Sequence, residues 1–490
     1  MIHLQSINKL LLKVFLLSFS VTCTTASVMA QTADVSSFLK DKMQKLGIPG
    51  MQVAIVQRGK IILNQSFGIA NLQETLTVTS KSIFPINSCT KVFTGVAIMQ
   101  LVEEDKIDLS APISHYLDSL PESWKPITIR QLLTHISGLP DIMSVLDPFS
   151  GGFGSLGNEA TAWAKITAKP MDFTTGTQFS YNQTNYLLLG KIIEKLRGQP
   201  FTQVFKERQF QVVSMPNTVF GDSRDVIPHI VPSYRFTRNI DGNTLQEPKL
   251  TNTYVEFVPA LRTGSGLNST AEDLANWIIA LQQGKLIKTK STLNTMWTAG
   301  TFNNGSPTIW ALGWGVNKFR THHKAVGMSG GGRSAFLIYP DDDLAIIVLT
   351  NLAGSYPESF IDEIAGYYNP EIPASDPVAQ LRAQIPKAGF EHTAKVYKEL
   401  KKKDPNFKPD ESDLNNWGYQ IMRGGQIKNA LEIFKLTVSI NPESWNAYDS
   451  YGEALLKAKK KEEAISMYRK SIELNPENKG GKKILAELLQ

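Results

Sequence analysis

The chain has 490 residues, 42% of them hydrophobic and 20% charged, which is enough apolar mass for two or three cored domains. Its formal net charge is only +6, and no dense Lys/Arg stripe is interleaved with aromatics. That argues against a nucleic-acid-binding surface.

In chain order, Lys9 and Lys13 precede the apolar run VFLLSFSV, and small residues then lead to SVMA. Val28 and Ala30 suit the cleavage positions of a secretory signal peptide, with Gln31 opening the mature chain. Residues 1–30 therefore read as an export signal, and the expected location is periplasmic or secreted. The alternative is an uncleaved anchor, for which the apolar run is short of the roughly 20 residues a bilayer needs. No stable membrane anchor is expected after cleavage. Cys23 lies in the leader, so Cys89 is left alone and no disulfide forms within the mature chain.

DVSSFLKDKMQKLG predicts a helix, and MQVAIVQRGKIILNQSFGIAN predicts two strands around an Arg58-Gly59 turn. A mostly helical middle follows from about residue 88 to 210. Within it, TIRQLLTHISG predicts a helix with Thr128 as N-cap and Gly138 as stop. TNYLLLGKIIEKLRG is a second helix, apolar along one face. The glycine-rich GGFGSLG (151–157) lacks the Gly-Lys-Ser/Thr ending of a phosphate loop and reads as a flap or a connector. STAEDLANWIIALQQG is a helix capped by Ser269 or Thr270. ALGWGV, KAVGM, RSAFLIYP and LAIIVLTN then read as strands, and ESFIDEIAGYY as a closing helix. Strands at both ends with helices between imply an α+β domain, an antiparallel sheet flanked by helices, in which the first hairpin pairs with the last strands.

NPEIPASDP is a proline-rich boundary, so the expected division is 31–372 and 373–490. In the second part Gly418, Ala430, Phe434 and Pro442 recur 34 residues later as Gly452, Ala464, Tyr468 and Pro476. This period resembles the tetratricopeptide repeat and implies an all-α domain. Such repeats present a groove to a peptide or a neighbouring protein, so a protein partner is one expectation.

Ser-x-x-Lys occurs at Ser6/Lys9, Ser37/Lys40 and Ser88/Lys91, and only the last opens a helix that stays apolar for three turns. Such a helix is buried on most sides. Positions i and i+3 share a face, and burial lowers a lysine pKa, so a neutral amine can take the proton of Ser88. The helix N-terminus adds free N–H groups where an oxyanion would form. On this stretch alone the alternative is Ser88 as a cap, with Lys91 reaching out to solvent.

The segments FPINSCTKVFTGVAIMQLVEEDKIDLSAPI, ITIRQLLTHISGLPD, FSYNQTNYLLLGKIIE, GSGLNSTAEDLANW and YPDDDLAIIVLTN occur in an order that resembles one family. It comprises the class C β-lactamases, D-alanyl-D-alanine carboxypeptidases and related esterases. The resemblance covers about residues 32 to 370. It implies Ser88 as the acylated nucleophile, Lys91 as its proton acceptor and Tyr181 as the proton relay. It also implies an oxyanion hole of the Ser88 N–H and one N–H from the late strand, at Gly331, with no cofactor and no metal. The expected substrate is a small acyl, peptide or β-lactam-like molecule.

Two positions depart from the family pattern. Tyr-x-Asn is here Tyr181-Asn182-Gln183, which keeps an amide with one more methylene. In VGMSGGGRSAF, Met328 stands before Ser329-Gly330 where Lys or His is usual. Met carries no charge, which favours an ester or other acyl substrate over one bound by its carboxylate. Arg333 either restores the charge or points away. These departures leave a second possibility, a binding or scaffold protein with weakened turnover that holds a partner through its repeats. Gly-x-Ser-x-Gly at 327–331 imitates a hydrolase elbow, but strand rather than helix follows it. His322-His323 lack a third ligand and read as turn residues. His135 is expected to pack or to cap its helix.

Overall fold

The computed structural model describes residues 32–145, 159–237, 240–241, 244–245, 249–254, 257–318 and 322–489. The leader (1–30) and the glycine-rich stretch 151–157 lie outside the described residues. The chain forms two compact units, one up to Tyr367 and one from Tyr368 onward.

Helix α1 (32–46) leads into the hairpin of β1 (Gly50–Gln57) and β2 (Lys60–Asn71). Arg58 and Gly59 both take left-handed φ values, 52° and 69°, the turn that matches the twist of paired strands. After the helical middle come β3 (Gly315–Lys318), β4 (Ala325–Gly330), β5 (Ser334–Tyr339) and β6 (Leu344–Thr350). All six strands, with Leu76–Thr77 at the far edge, build one seven-stranded sheet in the order β3-β4-β5-β6-β1-β2-edge. β1 pairs antiparallel with β6, Val53 opposite Val348, so the two ends of the unit meet as the sequence predicts.

Antiparallel sheets often leave one face wet and alternate in polarity. This one does not, because both faces are covered. Ala345, Ile347 and Leu349 of β6 share a core with Phe93 and Trp277 from the helical side. On the other face Tyr339 Oη donates to Asp362 Oδ1 at 2.6 Å, in the short helix Ile361–Ala365. β6 is consequently buried at every position.

Between the strands, α2 (Thr90–Glu103) is buried from Thr90 to Met99 and again at Leu101. α3 (Ile129–Leu133) starts as predicted, with a capping box of Thr128 and Gln131. It ends at Leu133 rather than at Gly138, because His135 turns left-handed (φ 58°) and its carbonyl accepts from the Ser180 N–H at 2.9 Å instead of continuing the helix. α4 (Gln183–Arg197) runs from the Asn182 cap to Gly198, left-handed at φ 67°. α5 (Ala271–Gln282) is capped by Thr270, while Ser269 belongs to the short strand Leu267–Ser269.

The described residues of the second unit form helices and turns only, and no helix among the described residues is long and apolar enough to cross a membrane. Its repeat has a structural counterpart. Gly418 lies against the Phe434 ring, where a Cβ would come within 2.8 Å, and Gly452 lies against Tyr468, where a Cβ would come within 3.1 Å. The same small-on-aromatic contact closes the pair Glu411–Arg423/Ile427–Ile440 and the pair Trp445–Lys457/Lys461–Leu474.

Phe93 braces the buried helix α2 with its ring 4.3 Å from Trp277 and 6.0 Å from Phe210. Phe93→Ala is expected to lower stability by about 3–5 kcal/mol in urea unfolding followed by far-UV circular dichroism. A loss below about 1 kcal/mol would contradict that packing.

Candidate functional site

The site is built where α2 meets the end of β4. Ser88 lies not on the α-helix itself but in the single 3-10 turn before it, Asn87–Cys89. Asn87 is left-handed at φ 47°, and Thr90 Oγ1 donates back to the Asn87 carbonyl at 2.6 Å, which sets the turn apart from α2. That hydroxyl also accepts from the N–H groups of Gly266 (3.2 Å) and Leu267 (3.1 Å). The neighbouring Ser265 is thereby drawn in, with its Oγ 3.3 Å from Ser88 Oγ. On the sheet side, a Cβ on Gly330 would stand 2.0 Å from the Ile86 carbonyl oxygen and 3.0 Å from the Ser88 nitrogen. Only glycine permits that approach of backbone to backbone.

Lys91 is wholly buried. Its Nζ donates to the Gly264 carbonyl at 2.8 Å and to Gln183 Oε1 at 3.0 Å, and lies 4.6 and 4.8 Å from the ring centres of Tyr181 and Tyr186. A neutral amine has two hydrogens and one lone pair. Two fixed acceptors occupy the hydrogens and leave the lone pair for the serine proton. Burial pulls the Lys91 pKa down from 10.5 to about 7, and the nearby Asp141 carboxylate opposes it. The extra methylene of Gln183 is therefore no obstacle to reaching Lys91.

Tyr181 enters from the loop before α4. Burial raises its phenol above the ordinary value, and hydrogen bonding toward Ser88 and Gln183 pulls the other way. The phenol keeps its proton near neutrality while the amine is poised to lose one. This divides the roles, with Lys91 fitted to accept a proton and Tyr181 to pass one on. Cys89, next to Ser88, is no rival nucleophile. Burial holds its thiol well above the ordinary range, and Sγ donates to the Met328 carbonyl at 3.5 Å.

Ser88, Tyr181, Trp310, Met328 and Ser329 line a cleft of about 260 Å³. β3 pairs with β4 at Gly327 and Ala325, short of Met328–Gly330, so the described part of β3 leaves that stretch of edge open toward the cleft. Gly331, at φ 59°, begins the turn between β4 and β5. Arg333, the last residue of this turn, is buried. Its Nε donates to the Gly331 carbonyl at 3.4 Å, and its Nη1 has no hydrogen-bond partner among the described residues. Burial lowers its pKa to about 10, still protonated at neutrality. It is not part of the cleft wall. No group of His, Cys, Asp or Glu among the described residues is arranged to hold a metal ion.

Residues 35–366 match the family described as Beta-lactamase. The chain belongs to the beta-lactamase family. Among its relatives, Protein flp of Staphylococcus aureus (strain MW2) is 25% identical over 336 residues, 67% of this chain and 65% of the relative. This chain thus spans less than two thirds of that protein's length. A teichoic acid D-alanine hydrolase of Staphylococcus aureus is 26% identical over 317 residues, 64% of this chain and 73% of that one. Among solved structures, the octameric penicillin-binding protein homologue from Pyrococcus abyssi shares the fold with a TM-score of 0.56 at 26% identity, over 68% of this chain and 76% of that one.

Within this beta-lactamase fold, four contributors escape a reading by sequence spacing: Gly264, Ser265, His135 and Trp310. Each reaches the site through long-range packing. The one local signal is GSGLNST, whose first glycine leaves room for Gln183, since a Cβ there would lie 2.6 Å from its Oε1. His135 is not a helix cap but joins the tyrosine loop, its Nδ1 accepting from the Asn182 N–H at 3.1 Å.

The depressed Lys91 pKa has two consequences with definite signs. Between about pH 7 and 10.5 the unfolded chain holds a proton that the folded chain has released, so stability from this group rises with pH across that window. The rate of Ser88 labelling by a fluorophosphonate should likewise rise with pH through about 7 and then level off. Lys91→Ala should slow labelling by about 10²–10⁴-fold and flatten the profile. A flat profile in the parent protein would contradict the assignment.

Proposed function

We propose that the protein is an exported serine hydrolase that cleaves a small ester or amide through an acyl-serine intermediate. The supporting observation is the buried Lys91 amine, held by two neutral acceptors one turn from Ser88. In the first half-reaction Ser88 Oγ attacks the substrate carbonyl while its proton passes to Lys91 Nζ. The N–H groups of Ser88 and Gly331 receive the developing oxyanion. As the tetrahedral species collapses, the proton leaves Lys91 and reaches the departing oxygen or nitrogen by way of the Tyr181 phenol. Water then enters, gives a proton back along the same path and releases the acid, restoring Ser88. Gln183 and the Gly264 carbonyl keep the amine aimed throughout.

Met328 replaces the usual cation beside the strand edge, which favours an ester over a substrate held by its carboxylate. A relative named for hydrolysis of teichoic acid D-alanine fits that preference, so D-aminoacyl and short-chain esters are the substrates we put first. Ser329 and the open β4 edge would align the acyl group, and Arg333 would supply positive potential from behind the turn. We read the second unit, from about residue 373, as tetratricopeptide repeats that offer a groove to a peptide or protein.

A parallel assay of p-nitrophenyl acetate, D-alanyl esters, D-Ala-D-Ala peptides and nitrocefin tests the reading. The esters should turn over fastest, and Ser88→Ala should remove all turnover and labelling. Label mapped by mass spectrometry to any other serine, or turnover surviving in Ser88→Ala, overturns it.

A further inference from the structure

His135 is a buried polar side chain that the acyl-transfer scheme leaves unused. Its backbone sits at φ 58°, a left-handed conformation uncommon outside glycine, though asparagine, aspartate and histidine are enriched in it. That conformation aims both its carbonyl and its ring at the tyrosine loop. The carbonyl accepts from the Ser180 N–H at 2.9 Å. Nδ1 lies 3.1 Å from the Asn182 nitrogen and 3.2 Å from Asn185 Nδ2. The Asn185 amide is oriented by Ser137 Oγ, which donates to its Oδ1 at 2.7 Å, so its NH₂ end faces the imidazole. With two donors directed at it, Nδ1 is the acceptor and the ring proton sits on Nε2. Nε2 has no hydrogen-bond partner among the described residues.

The ring itself is packed on aromatics. It packs at a tilt on Tyr181, with centres 4.6 Å apart and planes at 31°, and on Tyr186 at 5.2 Å and 32°. Trp310 and Phe179 meet it edge to face at 5.1 and 5.9 Å. Tyr181, Tyr186 and Trp310 are the groups that surround Lys91 or the cleft. A Phe at 135 would keep the stack but leave the Asn182 N–H unpaired, and an Asn would keep an acceptor but lose the stack. A protonated imidazole would oppose two donors and set a second cation beside Lys91. Burial and the Lys91 charge both hold the ring neutral.

We propose that His135 is the positioning residue of the site, fixing the Tyr181 phenol beside Lys91 as a neutral imidazole with its proton on Nε2. The role rests on the acyl-serine reading above, because Tyr181 is the group it serves. His135 gains no covalent part in the reaction. It acts only through the loop and ring it holds.

The full-length protein carries the test. His135→Asn tolerates the left-handed backbone and replaces Nδ1 with Oδ1, so it isolates the stacking contribution. His135→Phe removes the acceptor and adds the strain of a bulky ring at φ 58°, so its loss sets an upper bound on the acceptor's share. Far-UV circular dichroism and thermal melting confirm folding of each. Each is expected to lower kcat on p-nitrophenyl acetate by about 10–100-fold with little change in KM, as a small misplacement of a proton relay does. In a Tyr181→Phe background the same substitutions should cost almost nothing more, whereas an independent structural role would give additive losses within about threefold.

A second readout needs no turnover. Tetranitromethane nitrates phenolate, so Tyr181, mapped by mass spectrometry, should be nitrated slowly in the parent and several-fold faster in His135→Asn. Additive losses, or unchanged nitration of Tyr181, overturn the proposal. Absence of Ser88 labelling in the parent overturns the hydrolase reading instead, and nitration still decides the place of His135.

Discussion

A cation of ordinary lysine pKa does not sit at zero exposure without a charged partner. Lys91 is given a backbone carbonyl, an amide oxygen and two aromatic faces, and no carboxylate among the described residues hydrogen-bonds to it. A direct carboxylate partner would have stabilised the ammonium and raised its pKa. The environment instead leaves the two protonation states nearly balanced at neutral pH, and the surrounding architecture maintains that balance. α2 is apolar all round so that its first turn can be sunk in the core. Gly264 and Gly330 are bare so that backbone can come close on two sides. Asn182 caps α4 so that the next residue, Gln183, presents its amide inward.

Two segments far apart in sequence share the work. The stretch from Thr134 to Asp141 and the stretch from Ser180 to Asn185 are joined at successive positions. Ser180 bonds to His135, Thr184 Oγ1 donates to the Pro140 carbonyl at 2.8 Å, and the Gln183 N–H approaches Asp141 Oδ1 at 3.3 Å. The short helix α3 ends early for this reason. Its backbone groups are worth more to the loop than another turn of helix would be.

Much of the scaffold was legible in the sequence because the physical signals were local. The alternation and turn of the first hairpin, the apolar β6 and the Thr128 and Thr270 caps are read within a few residues. The Ser88/Lys91 pair stood out as polar residues opening an apolar helix, and Tyr181 entered through the family resemblance; the structure sets Lys91 Nζ 4.6 Å from the Tyr181 ring centre. What escaped was set at a distance. Gly138 looks like a helix stop, but the helix stops at Leu133 because of a loop some 40 residues downstream. Ser265 and the Gly264 carbonyl have no signature of their own, since a backbone oxygen becomes a ligand only when another segment delivers a lysine to it. Arg333 could not be aimed from strand alternation, because β5 begins only at Ser334 and the arginine lies in the turn before it.

The closeness of Gly330 to Ile86 and Ser88 bears on how such a chain can diverge. There two main chains are welded with no side chain between them, so mutation has almost nothing to adjust. New substrate preferences have to be written on the walls, at positions such as Trp310 and Met328, or on the loops above them. A lineage built on this weld would keep its main-chain frame while changing what the cleft admits.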